Sequence, residues 1–233
     1  VRILGVKAGL RLNEWGVFRI PEDVESSEVG KEDGERLGGT TEEEMDAPLN
    51  LPWIPPVLRE NRGEIDAARA GELPALVSID DFQAELHMHS TWSDGRLSIA
   101  EMAEECKRRG FKYGVITDHT PAVGVAGGLD PERVREQWAE VEQVRESLSD
   151  FTLFRGLEVD ILKDGSLDTT DDILEGLDFV IVSVHSFMDM DKNTMTDRVI
   201  RALQHPAVDL LAHPTGRLLN RREGYPIDVE AVL

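Results

Sequence analysis

The chain has 233 residues, 40% of them hydrophobic and 30% charged, enough apolar material for one core of ordinary size with room for a smaller companion. Its 46 acidic and 25 basic side chains give a formal charge of −21, which excludes a protein that coats duplex DNA through a broad positive surface and leaves only a localised basic groove. Cys106 is the single cysteine, so no intramolecular disulfide can form. Neither a charged-then-apolar leader nor a run of about twenty apolar residues occurs. A soluble cytoplasmic protein without membrane contact is the expectation. The basic residues are 6 lysines and 19 arginines, a balance compatible with a high-salt cytoplasm.

Residues 1–46 begin with small apolar patches separated by turns at Gly5, Gly9, Asn13 and Gly16. From Glu22 to Asp46 eleven acidic residues face two basic ones, which predicts a solvated, irregular stretch. Residues 47–81 read as a linker, because Pro52, Pro55 and Pro56 impose extended backbone on the residue before each of them. Trp53 and Ile54 are its expected anchors. No internal repeat of fixed period is visible.

Residues 82–233 are regularly punctuated. Ala84 to Met88 is a strand candidate, followed by a polar loop and a helix opened by the capping box Ser98 and Glu101 and closed by Gly110. Tyr113 to Thr117 is the next strand. Asp130 and Pro131 start a longer helix in which Val134, Trp138, Val141 and Leu148 recur at helical spacing. Phe151 to Ile161, Phe179 to Val184 and Val208 to Ala212 are further apolar strands, separated by helical stretches near Asp171 to Leu174 and Thr194 to Gln204. Such βα alternation implies an α/β fold with a parallel sheet, either open and doubly wound or closed into a barrel. Both forms collect functional groups at the carboxyl ends of the strands.

Each of these strands runs into a metal-ligand type of residue. His87 and His89 stand two apart, which in a strand places them on one face; Asp94 follows in a Gly-containing turn. His119 ends the second strand, with Asp118 expected to face away or to orient a ligand. Glu158 and Asp160 share a face of the third, Glu158 being placed to bridge two ions, and His185 and His213 end the fourth and fifth. One histidine at a strand end is usually a hydrogen-bonded rim residue, but five of six histidines at successive strand ends are not independent accidents. Imidazole and carboxylate without thiolate suit Zn²⁺, Mn²⁺ or Fe²⁺. Seven candidate ligands exceed one tetrahedral ion, so two or three divalent ions, with manganese or zinc preferred, and phosphoester hydrolysis follow.

Other residues receive plainer readings. His205 suits a helix C-terminus, Cys106 core packing, and the run Lys107, Arg108, Arg109 and Lys112 a solvated face. Asp160 is balanced between ligand orientation and solvation. Arg217, Arg221 and Arg222 lie just beyond His213 and are candidates for substrate-phosphate binding. There is no Gly-x-Ser-x-Gly elbow and no phosphate-binding Gly-rich Lys loop.

The motifs Leu-His-Met-His-Ser-Thr-Trp-Ser-Asp-Gly (86–95), Ile-Thr-Asp-His (116–119), Gly-Leu-Glu-Val-Asp (156–160), Ser-Val-His-Ser (183–186) and Ala-His-Pro (212–214) resemble the successive motifs of the polymerase and histidinol phosphatase (PHP) domain. Flanking stretches such as 12–19, 51–60 and 216–225 resemble the thumb end, linker and PHP domain of bacterial and archaeal family X DNA polymerases. The resemblance implies a distorted seven-stranded βα barrel with a trinuclear metal centre, preceded by a remnant of the polymerase thumb. It also implies metal-dependent 3′–5′ exonuclease activity in DNA repair, with 3′-phosphatase or abasic-site activity, on a 3′ end of gapped or damaged DNA. No obligate protein partner is implied. Carried over, His87, His89 and Glu158 would hold the first ion, Glu158, His185 and His213 the second, and Asp94 with His119 part of the third. The family's closing Asp-x-His motif has no counterpart before Leu233, and the polymerase palm is not in these residues. The expectation is an internal piece of a longer protein, lacking the last strands and one ligand each for the first and third ions, and weakly active or inactive by itself. A stand-alone phosphatase of small monoesters, or a PHP module with a decayed site, are the alternatives.

Overall fold

A computed structural model describes residues 1–20 and 34–233. The chain divides into two compact units, Val1–Val77 and Ser78–Leu233.

In the first unit a short helix α1 (Arg2–Lys7) leads into the hairpin β1 (Leu10–Asn13) and β2 (Gly16–Arg19), and β3 (Glu35–Gly38) pairs antiparallel with β2. Leu10, Val17 and Phe18 are buried. The stretch 22–46, expected to be irregular, lies in part outside the described residues. Its remainder is ordered, forming β3 and the helix α2 (Glu42–Asp46). The acidic composition misleads because the glutamates serve the helix start: Thr41 caps α2, and the Glu44 carboxylate accepts from the backbone N–H of Thr40 at 2.7 Å and of Gly39 at 3.2 Å. Negative charge in a first turn is favourable against the helix dipole. In the proline-containing stretch, Leu51 and Ile54 are buried, whereas Trp53 lies at the surface with its indole N–H donating to Glu42 at 3.2 Å. Trp53 is therefore not an anchor; the indole N–H needs a polar partner, and the aliphatic neighbours go inside instead. The helix α3 (Glu64–Ala70) completes this unit.

The second unit repeats strand and helix: β4 (Ala84–Met88), α4 (Ile99–Arg108), β5 (Tyr113–Ile116), α5 (Pro131–Ser147), β6 (Thr152–Asp160), α6 (Asp171–Leu174), β7 (Phe179–Ser183), α7 (Lys192–Leu203), β8 (Leu210–Leu211) and α8 (Val229–Val232). Local chemistry sets the helix starts. Ser98 and Glu101 exchange side-chain to backbone hydrogen bonds at 3.3 and 2.8 Å, and Asp130 accepts from the backbone N–H of Glu132 and Arg133, each at 3.0 Å. Val134, Val141 and Val144 face the sheet from α5. The outer core lies between helices and sheet, built on Leu157, Val159, Val180, Val182 and Val199 in one cluster and Ile99, Cys106, Ile116 and Leu153 in another.

All five strands are parallel and adjacent in chain order, β4-β5-β6-β7-β8. A doubly wound sheet reverses its order at a switch point; this one does not. At about 4.8 Å per strand, a flat sheet would separate β4 and β8 by about 19 Å. The imidazoles of His87 on β4 and His213 after β8 nevertheless lie 5.9 Å apart, centroid to centroid. The sheet is a curled half-barrel whose carboxyl rim brings together side chains from its first strand and from just beyond its last.

Candidate metal centre

β6 is the central strand, paired along both edges, and carries Glu158 near its end with the carboxylate turned to the concave face. Leu157 and Val159, alternating with it, are fully buried on the helix side. Glu158 is 1% exposed and meets five imidazoles. Its Oε2 lies 3.1 Å from His87 Nε2, 3.4 Å from His89 Nε2 and 3.2 Å from His119 Nδ1. Its Oε1 lies 2.8 Å from His213 Nε2 and 3.6 Å from His185 Nε2. The two oxygens of one carboxylate thus serve two separate groups of histidines. Asp94 completes the cluster, with Oδ1 3.5 Å from His89 Nδ1 and 3.7 Å from His119 Nε2. All seven residues singled out in the sequence come together at this rim.

The supports of the site come from residues that are silent in a hydropathy pattern. Asp118 is completely buried, its side chain turned from the cluster, and accepts four hydrogen bonds: Ser90 N–H at 2.8 Å, Ser90 Oγ at 2.6 Å, Ser93 Oγ at 2.5 Å and Gln137 Nε2 at 2.6 Å. It pins the loop between His89 and Asp94. Gly95 is required in that loop, since a Cβ there would run into the His89 carbonyl. Asp160, also 1% exposed, accepts from the His185 backbone N–H at 3.1 Å and holds its Nδ1 at 2.9 Å. This aims Nε2 at Glu158, the arrangement by which a carboxylate orients a ligating imidazole. Arg198, 3% exposed in the middle of α7, donates to the carbonyls of Ile161, Leu162 and Ser186, tying the loop after β6 to the loop after β7. Its position beside Met195 and Val199 on the inner stripe of α7 gave no sign of this role.

The charges are mutually adjusted. Burial opposes ionisation of Glu158, but hydrogen bonds from His213 and His87 and the neighbouring imidazole charge outweigh it and hold the carboxyl well below its usual range. Burial pulls His89 and His119 below the ordinary imidazole value despite the Glu158 charge nearby. At His185 burial acts in the same direction, yet the hydrogen bond to Asp160 and the charge of Glu158 raise it.

The donor set fits divalent metal. Three trios of ligand atoms each lie within 4.8 Å of one another: His87, His89 and Glu158; His89, Asp94 and His119; His119, Glu158 and His185. His89 Nδ1 and His119 Nδ1 are buried without a hydrogen-bond partner. Although His119 Nδ1 is 3.2 Å from Glu158 Oε2, the ring is not aligned for a hydrogen bond. A buried ring nitrogen left in this way is costly unless something else coordinates it. The trios share His87, His89 and Glu158 with the carried-over grouping; His119 also comes within reach of Glu158 and His185, since the backbone after β5 continues to pair with β6 at His119 and Glu158, and His89 stands with Asp94 and His119. His213 faces Glu158 Oε1 from the opposite side, at a backbone φ of 27°.

The other singled-out residues separate clearly. Arg222 donates through Nε and Nη2 to the Gly216 carbonyl at 3.0 and 2.7 Å, so it braces the turn after His213. Arg217 and Arg221 are exposed on the same turn. His205 lies away from the centre, its Nδ1 accepting from Ala207 N–H at 3.3 Å. Cys106 is buried against Met88, and burial pushes its thiol up to about 11. Arg108 and Arg109 pair with Glu105, and Lys107 with Glu104, on the outer face of α4.

Residues 85–219 match the PHP domain, more than half of the chain and all seven clustered side chains. The chain belongs to the PHP domain family. Residues 1–60 match the DNA polymerase beta thumb. Over all 233 residues the chain is 39% identical to the DNA polymerase/3′-5′ exonuclease PolX of Bacillus subtilis (strain 168), of which it covers 39%. The chain is 31% identical over 156 residues, 64% of its length, to a probable phosphatase of Thermoanaerobacter sp. (strain X514), of which it covers 58%. It is likewise 31% identical over 157 residues, 65% of this chain, to one from Acetivibrio thermocellus, of which it covers 60%. PHP domains are metal-dependent phosphoester hydrolases, and the centre described above carries a donor set suited to that chemistry. Among the described residues no helix is long and apolar enough to cross a membrane.

Proposed function

We propose that the PHP unit hydrolyses phosphodiesters at DNA 3′ ends as a 3′–5′ exonuclease, using two or three divalent ions, manganese or zinc. The observation that carries the reading is the Glu158 carboxylate with three imidazoles on one oxygen and two on the other, the geometry of a bridging ligand. His87, His89 and Glu158 are assigned to one ion, Glu158, His119 and His185 with His213 to a second, and His89, Asp94 and His119 to a third. Bound there, divalent ions supply Lewis acidity toward a phosphoryl oxygen and ease the generation of hydroxide near neutral pH. The protein's own part is to hold the donors: Asp160 fixes the His185 ring, Asp118 fixes the loop of Asp94, and the depressed His89 and His119 present neutral imidazoles, the form that ligates. The thumb match and the relative named as polymerase and exonuclease support DNA as the substrate class. The relatives named as phosphatases support a second reading, hydrolysis of a small phosphate monoester.

Glu158→Gln and His89→Ala separate these readings when assayed with a 5′-labelled single strand and with phosphate monoesters. Elemental analysis of both variants is expected to show metal loss, accompanied by loss of stepwise 3′ degradation. Wild-type protein that hydrolyses monoesters and leaves the DNA intact would replace the first reading by the second. Unchanged degradation in the variants would remove the ligand assignment.

A further inference from the structure

Exposed apolar side chains stand in the loops beyond the strand ends that carry the histidines. Val125 follows His119, Phe187 follows His185, and Leu218 and Leu219 follow His213, all in loops after the carboxyl ends of strands and all well exposed. Phe187 is the most informative of them. It stands two residues beyond His185, so its Cα is within about 7 Å of that ligand's. Half of it is exposed, and its backbone φ is 52°, in the left-handed region that is costly for an aromatic residue and suits glycine or asparagine. Folding alone gives no reason to place a phenylalanine there.

The surrounding contacts hold it in that position. The buried Arg198 donates to the carbonyl of Ser186 at 3.0 Å and of Phe187 at 3.5 Å, while its other donors fix Ile161 and Leu162 in the neighbouring loop. That neighbouring loop carries Lys163, whose Nζ lies 5.3 Å from the centre of the Phe187 ring. An aromatic ring in a strained conformation, held at the mouth of a phosphoester site and accompanied by a cation, is the combination that recognises unpaired nucleotides: a base stacks on the ring, and the ammonium meets the backbone phosphate. A small phosphate monoester without a base offers no π-face of this kind to stack on the ring.

We propose that Phe187, with Lys163 beside it, forms a nucleobase-stacking subsite that takes the base of the 3′-terminal nucleotide while its phosphoester enters among the histidines. The assignment rests on the exonuclease reading and adds a specificity-determining residue to it. Binding is measured on the full chain in EDTA, with a single-stranded oligonucleotide ending in 2-aminopurine and with the same strand ending in an abasic residue. The wild type is expected to quench the 2-aminopurine and to bind the base-bearing end about tenfold or more tightly than the abasic end. Phe187→Ala should abolish both the quenching and the preference, and Phe187→Trp should restore them. With metal added, the ratio of kcat/KM between the two ends should follow the same order, carried mainly by KM. Equal weakening of both ends in Phe187→Ala would show a structural role and overturn the subsite. An unchanged preference in Phe187→Ala, with DNA still degraded by the wild type, would overturn it while leaving the exonuclease reading in place. A wild type that binds and degrades neither strand but hydrolyses monoesters would remove the exonuclease reading, and the subsite with it.

Discussion

Replacing Asp118 by alanine tests how the metal-binding rim is supported. In the wild type its carboxylate accepts four hydrogen bonds, from Ser90 N–H and Oγ, Ser93 Oγ and Gln137 Nε2, and neither Asp118 nor Ser90 is exposed. The hydroxyls can rotate to new partners, but the Ser90 N–H and the Gln137 amide cannot leave the interior. At about 1–3 kcal/mol for each buried donor left without an acceptor, these two alone cost about 2–6 kcal/mol. We take about 4 kcal/mol as the working value. With a urea m-value of about 2 kcal/mol/M, the unfolding midpoint drops by about 2 M. Asp118→Asn keeps one acceptor oxygen and lets Ser90 and Gln137 reorient, so its loss should be about half as large. Because the loop it pins carries Asp94, metal affinity should also fall, by about 10- to 100-fold, as for other residues that orient ligands. Urea denaturation of both variants with metal titration decides the matter. A midpoint for Asp118→Ala within about 0.3 M of the wild type would refute the network as the loop's anchor.

Gly95→Ala should lower metal affinity with only modest loss of global stability, since the displaced element is the exposed turn that carries Asp94; isothermal titration with Mn²⁺ measures it, and wild-type affinity would contradict the backbone packing described. Tyr225 is 6% exposed, its hydroxyl has no partner, and burial pushes its pKa up to about 12. Since an unfolded tyrosine ionises near 10, the native state holds more protons between pH 10 and 12, and stability falls as pH rises through that window. Relative to Tyr225→Phe, the wild type should lose about 1.4 kcal/mol by pH 11, and parallel denaturation curves for the two would count against the burial of the phenol. Arg221→Ala should weaken binding of single-stranded DNA and reduce the salt slope by about one ion, measured by anisotropy from 50 to 200 mM salt. Arg222→Ala, by contrast, should destabilise the turn at Gly216, so a loss of DNA affinity without any loss of stability would contradict its hydrogen bonds to that carbonyl.

Much of the site was legible because its signals are local. A capping box needs only Ser98 and Glu101, a helix start only Asp130 and Pro131, and the strand-end positions of His87, His119, His185 and His213 follow from apolar runs ending in polar residues. Local composition misled where a charge had a specific use: the stretch before Asp46 reads as irregular chain, whereas Thr41 caps a helix there and the exposed Glu44 accepts from the backbone N–H groups of Gly39 and Thr40 ahead of it. Trp53 read as an anchor although its indole N–H is held at the surface by Glu42. The alternation of strand and helix also could not distinguish an open sheet from a curled one, since the strands of either form are buried on both faces.

The sequence by itself determined which donors are available and that they stand at strand ends, because residue type and a two- or 3.6-residue period are properties of neighbours along the chain. Only the tertiary structure decided how those donors meet. The curl that brings His87 to within 5.9 Å of His213, the approach of His119 to Glu158 and His185 and the tie from Arg198 to Ile161 and Leu162 all depend on contacts between segments 25 or more residues apart. Such contacts are set by strand order and by the need to satisfy every buried polar group at once, and no short window of sequence contains either.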